Sequence, residues 1–451
     1  MRSLRFDGVA TRVTRVATIV VVTLGLLLGV RSTGFAHATL LRSEPAAGSH
    51  LAASPSLVRL VFSEEMEPAL AQLMLVGGDG HSVKLASTGD PHDVNAIVAP
   101  VSGLAVGAYR LRWRVVSADG HPVEGSFTFT VGASAAVAPP ISESAAAEME
   151  VPLTWGPSAA GAPLIPALLR GLGVGALMAL GGMLLFLVWP GPPGEVVPRR
   201  AMLMTTVFSV AAPVLLALHF AAWAVNADAG HVLSMASLSA AAGSGVGRVE
   251  LWRVGLSVLA LWGVVLVRRV RLALPFALAA LFLSGATGHA AAIQPMWAEP
   301  FKAMHLVAGS AWVGGLLWLV CLDRTEIERF VRETSRVSSV ALAAVIAVTF
   351  SGIVQARLFL SAPADLFSSP YGRLVLAKVA GMLILIAFGA HHRRRVLPVL
   401  RDVATSERFV ITLRRELMVF MIVVLIGGLL AYVPPAAKAG VEGSTTHSSN
   451  Q

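Results

Sequence analysis

From Pro163 onward the sequence is a succession of apolar runs, at approximately 164–189, 202–225, 251–267, 272–293, 303–321, 338–360, 374–391 and 416–433. Each is close to the roughly 20 residues an α-helix needs to cross the hydrocarbon core of a bilayer. In lipid every backbone N–H and C=O must find a partner within the protein, so runs of this length fold as a bundle of helices. Hydrophobic residues make up 55% of the chain and charged residues 14%, where a water-soluble domain carries about 25% charged residues. The net charge of +9 does not indicate nucleic acid, because the basic residues stand in clusters between the apolar runs. They lie at Arg199-Arg200, Arg268-Arg269-Val270-Arg271, Arg324 to Arg336, and His391-His392-Arg393-Arg394-Arg395 through Arg414-Arg415. The alternate loops are nearly free of such charge, with Arg248, Lys302 and Arg373 at helix entrances. The positive-inside rule then predicts an all-α domain of about eight transmembrane helices over 163–435, both ends outside, in the cell membrane. The bilayer is the expected partner.

The amino-terminal third is of another kind. Arg2, Arg5, Arg12 and Arg15 precede an apolar stretch from Ala17 to Val30, and Gly34 and Ala36 put small residues where a signal peptidase reads. Residues 1–36 are therefore expected to be a signal peptide, and His37 the first residue of the mature chain. A free α-amine and the imidazole of one residue can chelate a single metal ion, and nitrogen donors of this type suit Cu(II). The single cysteine, Cys321, ends an apolar run; it offers the exported domain neither a disulfide nor a thiolate ligand and reads as a small buried hydrophobe.

Between His37 and Val131 apolar and polar residues alternate, as in Leu57 to Phe62, Tyr109 to Val115 and Phe127 to Val131. This is the period of half-buried strands. Gly77-Gly78-Asp79-Gly80 and Ala118-Asp119-Gly120 mark turns, so residues 37–132 are expected to form an antiparallel sandwich of about seven strands. Residues 133–162, rich in Ala, Pro, Ser and Glu, read as a linker, and 436–451 as a disordered tail. The informative cluster is Ser117-Ala118-Asp119-Gly120-His121-Pro122-Val123. Asp119 and His121, two apart, share a face if the segment is extended, and their oxygen and nitrogen could complete a square around a Cu(II) held by His37. Taken alone, Asp-Gly-His also fits a turn with a solvated histidine.

Three stretches, HATLLRSEPAAGSHL, RLVFSEEMEP and YRLRWRVVSADGHPVEGSFTFTV, resemble the copper-resistance CopC family over essentially the whole of residues 37–131. The resemblance implies an immunoglobulin-like all-β sandwich that binds Cu(II) in the periplasm, with His37, Asp119 and His121 as ligands and Glu64 as an outer candidate. The domain has only Met66 and Met74, so the methionine-rich Cu(I) loop of some family members is not expected. His50, His81 and His92 read as exposed loop residues.

In the membrane half, His219, His289 and His305 fall near the exported ends of the second, fourth and fifth runs. Ionisable groups within spans are costly and face a bundle interior or cavity, so the three are candidates for a copper path. Met304, beside His305, and Met296 could add sulfur for Cu(I), while His231 and Met235 lie in an outer loop. Hydrogen bonding between helices explains any one of these histidines equally well. Lys378, inside the seventh run, fits either a snorkelling cation or a site residue. Gly171-Leu172-Gly173-Val174-Gly175 and Trp312-Val313-Gly314-Gly315 permit close helix approach. The segments MHLVAGSAWVGGLLWL, FSGIVQARLFL, PYGRLVLAKVAGMLILIAFGAHHRR and LRRELMVFMIVVLIGGLLAYVPP resemble the CopD copper-resistance membrane family over about 303–435. The two resemblances together imply a copper-resistance or copper-import protein with CopC and CopD parts fused; it is expected to be no enzyme, to import copper and to work with other periplasmic copper carriers. Two alternatives remain: a membrane redox protein using copper or haem, and a copper sensor or store without transport.

Overall fold

The computed structural model describes residues 38–132, 163–189, 195–228, 233–288, 295–360 and 362–433, without the side chains of 295–298. The expected leader, His37, linker and tail lie outside the described residues, as do His231 and His289.

The first described segment folds into two facing sheets. One, in the order β1-β3-β7-β6, is built from Leu40–Glu44 (β1), Leu57–Phe62 (β3), Asp93–Pro100 (β7) and Thr88–Asp90 (β6). The other, β2-β9-β8-β4-β5, comprises His50–Leu51 (β2), Pro122–Val131 (β9), Gly107–Val116 (β8), Gln72–Gly77 (β4) and Ser82–Leu85 (β5). There are thus nine strands, where the pattern predicted about seven. The surplus lies in β2 and β6, edge strands of two and three residues that are too short for alternation to register. Alternation does set the core: Val58, Leu60 and Phe62 of β3 face Leu111, Trp113 and Val115 of β8, all buried. Phe62 meets the Trp113 ring edge-on at 5.2 Å. Between them the outward Arg59 holds Asp90 at 2.7 Å and Asp93 at 3.0 Å. His50, His81 and His92 are exposed.

The second segment is helical: Leu164–Val188 (α1), Arg199–Ala227 (α2), Met235–Gly243 (α3), Gly245–Val265 (α4), Val270–Leu283 (α5), Pro295–Cys321 (α6), Ile327–Phe359 (α7), Asp365–Ser368 (α8), Pro370–His391 (α9) and Val403–Leu430 (α10). Five of these, α1, α2, α6, α7 and α9, are long and apolar enough to cross a membrane. Helices also stand where the other three spans were expected, but α5 has 14 residues, α4 carries Arg248, Glu250 and Arg253, and α10 carries two charged pairs and Glu416. On α2 the residues Leu203, Val207, Val210, Val214 and Leu218 are exposed at helical spacing, an apolar stripe suited to lipid.

Helix α1 lies at the centre, against α2, α6 and α10. The expected small-residue packing is present there. A Cβ on Gly314 would strike the backbone of Gly182, and one on Gly182 would come within 2.7 Å of the Gly314 Cα. Backbone cannot move aside as a side chain can, so Gly314→Ala is expected to cost about 2–3 kcal/mol, read as a lower thermal midpoint of the detergent-solubilised chain.

The sandwich sits directly on one end of the bundle. Leu70 and Val116 pack with Phe220, Trp223, Ala224, Ala227, Ala241 and Val246 in one apolar cluster. Arg114 Nη2 donates to the Asn226 carbonyl at 2.8 Å, and Gln72 Nε2 to Asp228 Oδ1 at 2.8 Å. The Glu67 carboxylate accepts from the backbone N–H groups of Gly245, at 2.9 Å, and Val246, at 3.0 Å. These are the unsatisfied donors that open α4, where the helix dipole favours an anion. The C-terminal end of α2 and the N-terminal end of α4 thus share the sandwich's end of the bundle. At the other end Arg329 Nη2 donates to the Val196 carbonyl at 2.9 Å, and the Arg336 guanidinium lies over Phe186 and Trp189. The basic segments after α1 and α6 are therefore gathered away from the sandwich.

Candidate metal site at the domain junction

The site begins with the hairpin turn between β8 and β9. Gly120, at φ +88°, takes a left-handed conformation that residues with a Cβ adopt at a cost. The turn closes through Gly120 N–H to the Ser117 carbonyl at 2.7 Å and Ser117 N–H to the His121 carbonyl at 3.1 Å. Asp119 Oδ1 accepts from the Ser117 hydroxyl and, at 3.0 Å, from the His121 N–H. This leaves Asp119 Oδ2 2.9 Å from His121 Nδ1, with both side chains buried. Burial opposes the imidazolium, but the Asp119 carboxylate outweighs it and holds the His121 pKa above its ordinary value. Glu64 lies close by: burial, and then repulsion from Asp119, push its carboxyl up to about 7, against the opposing pull of His121 and a hydrogen bond from the Ala38 backbone. The residue that follows His37 is therefore tied to Glu64, beside Asp119 and His121.

The turn faces the bundle, and this the sequence did not foretell. Trp223 Nε1 of α2 donates to the Gly120 carbonyl at 2.8 Å, and His121 bonds the backbone of Ala431. Tyr432, just past α10, meets the His121 ring edge-on at 5.6 Å. The Tyr432 hydroxyl lies 2.9 Å from His219 Nε2, so the phenol spans the gap between the sandwich histidine and the first candidate histidine of the bundle. Behind His219, Nδ1 is 3.5 Å from Glu250 Oε2. Glu250 takes both its bonds from Arg253 Nη1, at 2.7 and 2.6 Å, and lies 3.7 Å from Arg170.

His305 stands apart from this line. Its Nδ1 is 3.0 Å from the Ser351 hydroxyl, and it lines a cavity of roughly 170 Å³ together with Arg170, Met178, Lys302, Lys378 and Met382. Lys378 therefore faces the cavity. Arg170 is common to both places, lining the cavity and adjoining Glu250. Met304 is not among the residues that line this cavity. Adjacent helical residues point about 100° apart. The sulfurs that do line it come from α1 and α9, a pairing that sequence spacing could not reveal. Of the other candidates, Met235 is exposed at the start of α3, and Met296 has no described side chain.

The donor set at the junction is carboxylate oxygen and imidazole nitrogen, which suits a borderline ion such as Cu(II). Among the described residues no three His, Cys, Asp or Glu side chains converge on one metal position, and the further donor expected from His37 lies outside them.

A β-sandwich that sets an Asp-x-His turn against the end of a polytopic helical domain defines a membrane-bound metal-handling protein. Comparison with known proteins sharpens that class: residues 40–132 match the CopC domain, and residues 327–430 match copper resistance protein D. The chain is 27% identical over 401 residues to the copper transport protein CutJ of Bacillus subtilis, covering 82% of this chain and 70% of CutJ. It is 37% identical over 121 residues to copper resistance protein C of Escherichia coli, covering 25% of this chain and 94% of that protein. Among solved structures, CopC from Methylosinus trichosporium OB3b is 37% identical, with 21% of this chain and 94% of that chain covered at a TM-score of 0.21. The protein belongs to the copper-resistance family in which a CopC domain is followed by a CopD domain.

Proposed function

We propose that this protein takes up a copper ion on the outer side of the cell membrane and passes it through the bundle toward the inside. In this reading the five long apolar helices and α4, α5 and α10 all cross the bilayer, the sandwich lies outside, and the chain performs no catalysis of its own. Asp119 and His121 hold Cu(II) together with the amine and imidazole of His37, and Glu64 stands as an outer partner. His219 receives the ion, and His305 serves the cavity beyond, with His289 a further ligand on the way. Other periplasmic carriers deliver copper to the sandwich. The observation that carries the reading is the seat of the Asp119-Gly120-His121 turn on the bundle, with Tyr432 bridging His121 to His219. The name of the relative CutJ, a copper transport protein, supports it.

The test is copper accumulation in cells expressing wild type, Asp119→Ala/His121→Ala, or His305→Ala. Both variants are expected to accumulate less copper at equal protein levels. Equal accumulation in all three would reject import by this route.

A further inference from the structure

A second cavity, of roughly 240 Å³, lies in the half of the bundle away from the sandwich and is lined by Trp312, Ser338, His392, Arg393, Arg394 and Glu416 among others. Trp312 and Leu385 line both this cavity and the one that holds His305. Both side chains are buried, and Phe420 meets Trp312 edge-on at 5.8 Å. The two spaces are thus neighbours parted by a Trp-Leu partition.

Glu416 is 1% exposed. Its Oε1 accepts from Trp312 Nε1 at 3.3 Å, while Oε2 has no hydrogen-bond partner among the described residues and faces His392 Nδ1 at 3.3 Å. The tautomer of His392 follows from its other nitrogen. Thr412 gives its hydroxyl proton to the Phe409 carbonyl at 2.7 Å, so toward His392 Nε2, 3.1 Å away, its oxygen can only accept. Nε2 therefore carries the N–H, and in the neutral ring Nδ1 turns a lone pair toward a carboxylate oxygen. Two lone pairs pointed at one another in a buried place call for a cation between them, either a proton or a metal ion. An imidazole whose second nitrogen is fixed by a hydrogen bond is also how metal-binding histidines are oriented. Two donors each about 2 Å from a first-row metal ion sit about 3 Å apart, close to the separation here. His392 opens a π-helical turn, His392–Val396, a distortion frequent at functional positions.

We infer that Glu416 and His392 form a second metal site, one that takes a copper ion on the inner side of the Trp312-Leu385 partition. The inference rests on the proposed inward passage of copper and supplies its release point. One carboxylate and one imidazole, with the exposed Arg393 and Arg394 at the rim, hold a cation loosely, as a release site requires.

The test uses the full chain in detergent, dialysed against Cu(II) alone. A chain with Asp119→Ala/His121→Ala is expected to keep copper that falls by about one equivalent when Glu416→Gln is added, with the same loss on adding His392→Gln. Nitrogen hyperfine structure from one imidazole should vanish in the His392→Gln chain. Glutamine at 416 retains an acceptor for Trp312, and an unchanged thermal midpoint separates loss of the site from loss of the fold. His392 lies toward the bundle surface, so its variant serves if Glu416→Gln unfolds. Equal copper with and without both side chains overturns the site. The difference between wild type and Asp119→Ala/His121→Ala reports the junction site independently, so either can fail while the other stands.

Discussion

Glu250→Ala will be among the most destabilising single substitutions in this protein, lowering stability by about 3–5 kcal/mol. Arg253 is fully buried, and Nη1 gives both its hydrogen bonds to Glu250. Its Nε and Nη2 have no hydrogen-bond partner among the described residues. Removing the carboxylate leaves a fully buried guanidinium without its counter-charge, and the loss of a partner, rather than of a favourable pair, sets the cost. The measurement is thermal or denaturant unfolding of the detergent-solubilised chain. Glu250→Leu/Arg253→Leu should recover most of the stability, because replacing a whole buried pair by packed apolar side chains is often neutral. On the proposed copper path, that double variant should still pass copper poorly, since His219 loses the carboxylate that faces its Nδ1. A midpoint unchanged in Glu250→Ala would mean that Arg253 finds another partner and that the cluster is not closed.

In His121→Ala, Cu(II) binding at the junction should weaken by at least about 100-fold, because even partners outside the coordination sphere of a metal are worth roughly 10–100-fold. The loss should come without unfolding: His121 belongs to a turn whose closure uses backbone groups, Ser117 and Asp119. Asp119→Ala should weaken copper as much, and in addition loosen the turn. Equilibrium competition with a chelator reads the affinity, and the sandwich's near-ultraviolet dichroism reads the fold. Adding one alanine before His37 isolates the expected chelate, since it removes the imidazole from the free amine without touching the turn. Equal affinity in the extended chain would show that the α-amine is not a ligand, while equal affinity in His121→Ala would remove copper from the junction altogether.

What could be seen in advance and what could not divides by the range of the interaction. The strand faces of Leu57 to Phe62 and Tyr109 to Val115 and the turn at Asp119-Gly120 are local, and period and glycine position determined them. The glycines at 171, 173, 175 and 314 announced close packing, though not that Gly314 meets Gly182. Charges buried within helices were the weak point. Glu250 and Arg253 stand in an apolar run and could have been flagged as costly ionisable groups, but their neighbour Arg170 lies on α1 and Tyr432 follows α10. Met304 stands beside His305 in the linear chain, but the sulfurs that line the His305 cavity are Met178 and Met382, from two other helices. Tyr432 carried no sign at all, since a lone tyrosine at the end of an apolar run is ordinary at a membrane interface.

The carboxylate of Glu67, seated on the first amides of α4, has a mechanical consequence. Gly245 precedes Glu250 by little more than one helical turn, roughly 7–8 Å along a stiff axis. A tilt of the sandwich is therefore felt as a pull on the rod that carries Glu250, and with it on the imidazole of His219. On the proposed copper path, loading of the sandwich and the readiness of His219 would be geared together through a single helix, so a chain cut between the two domains and mixed as fragments would lose this synchrony even if each fragment kept its own ligands.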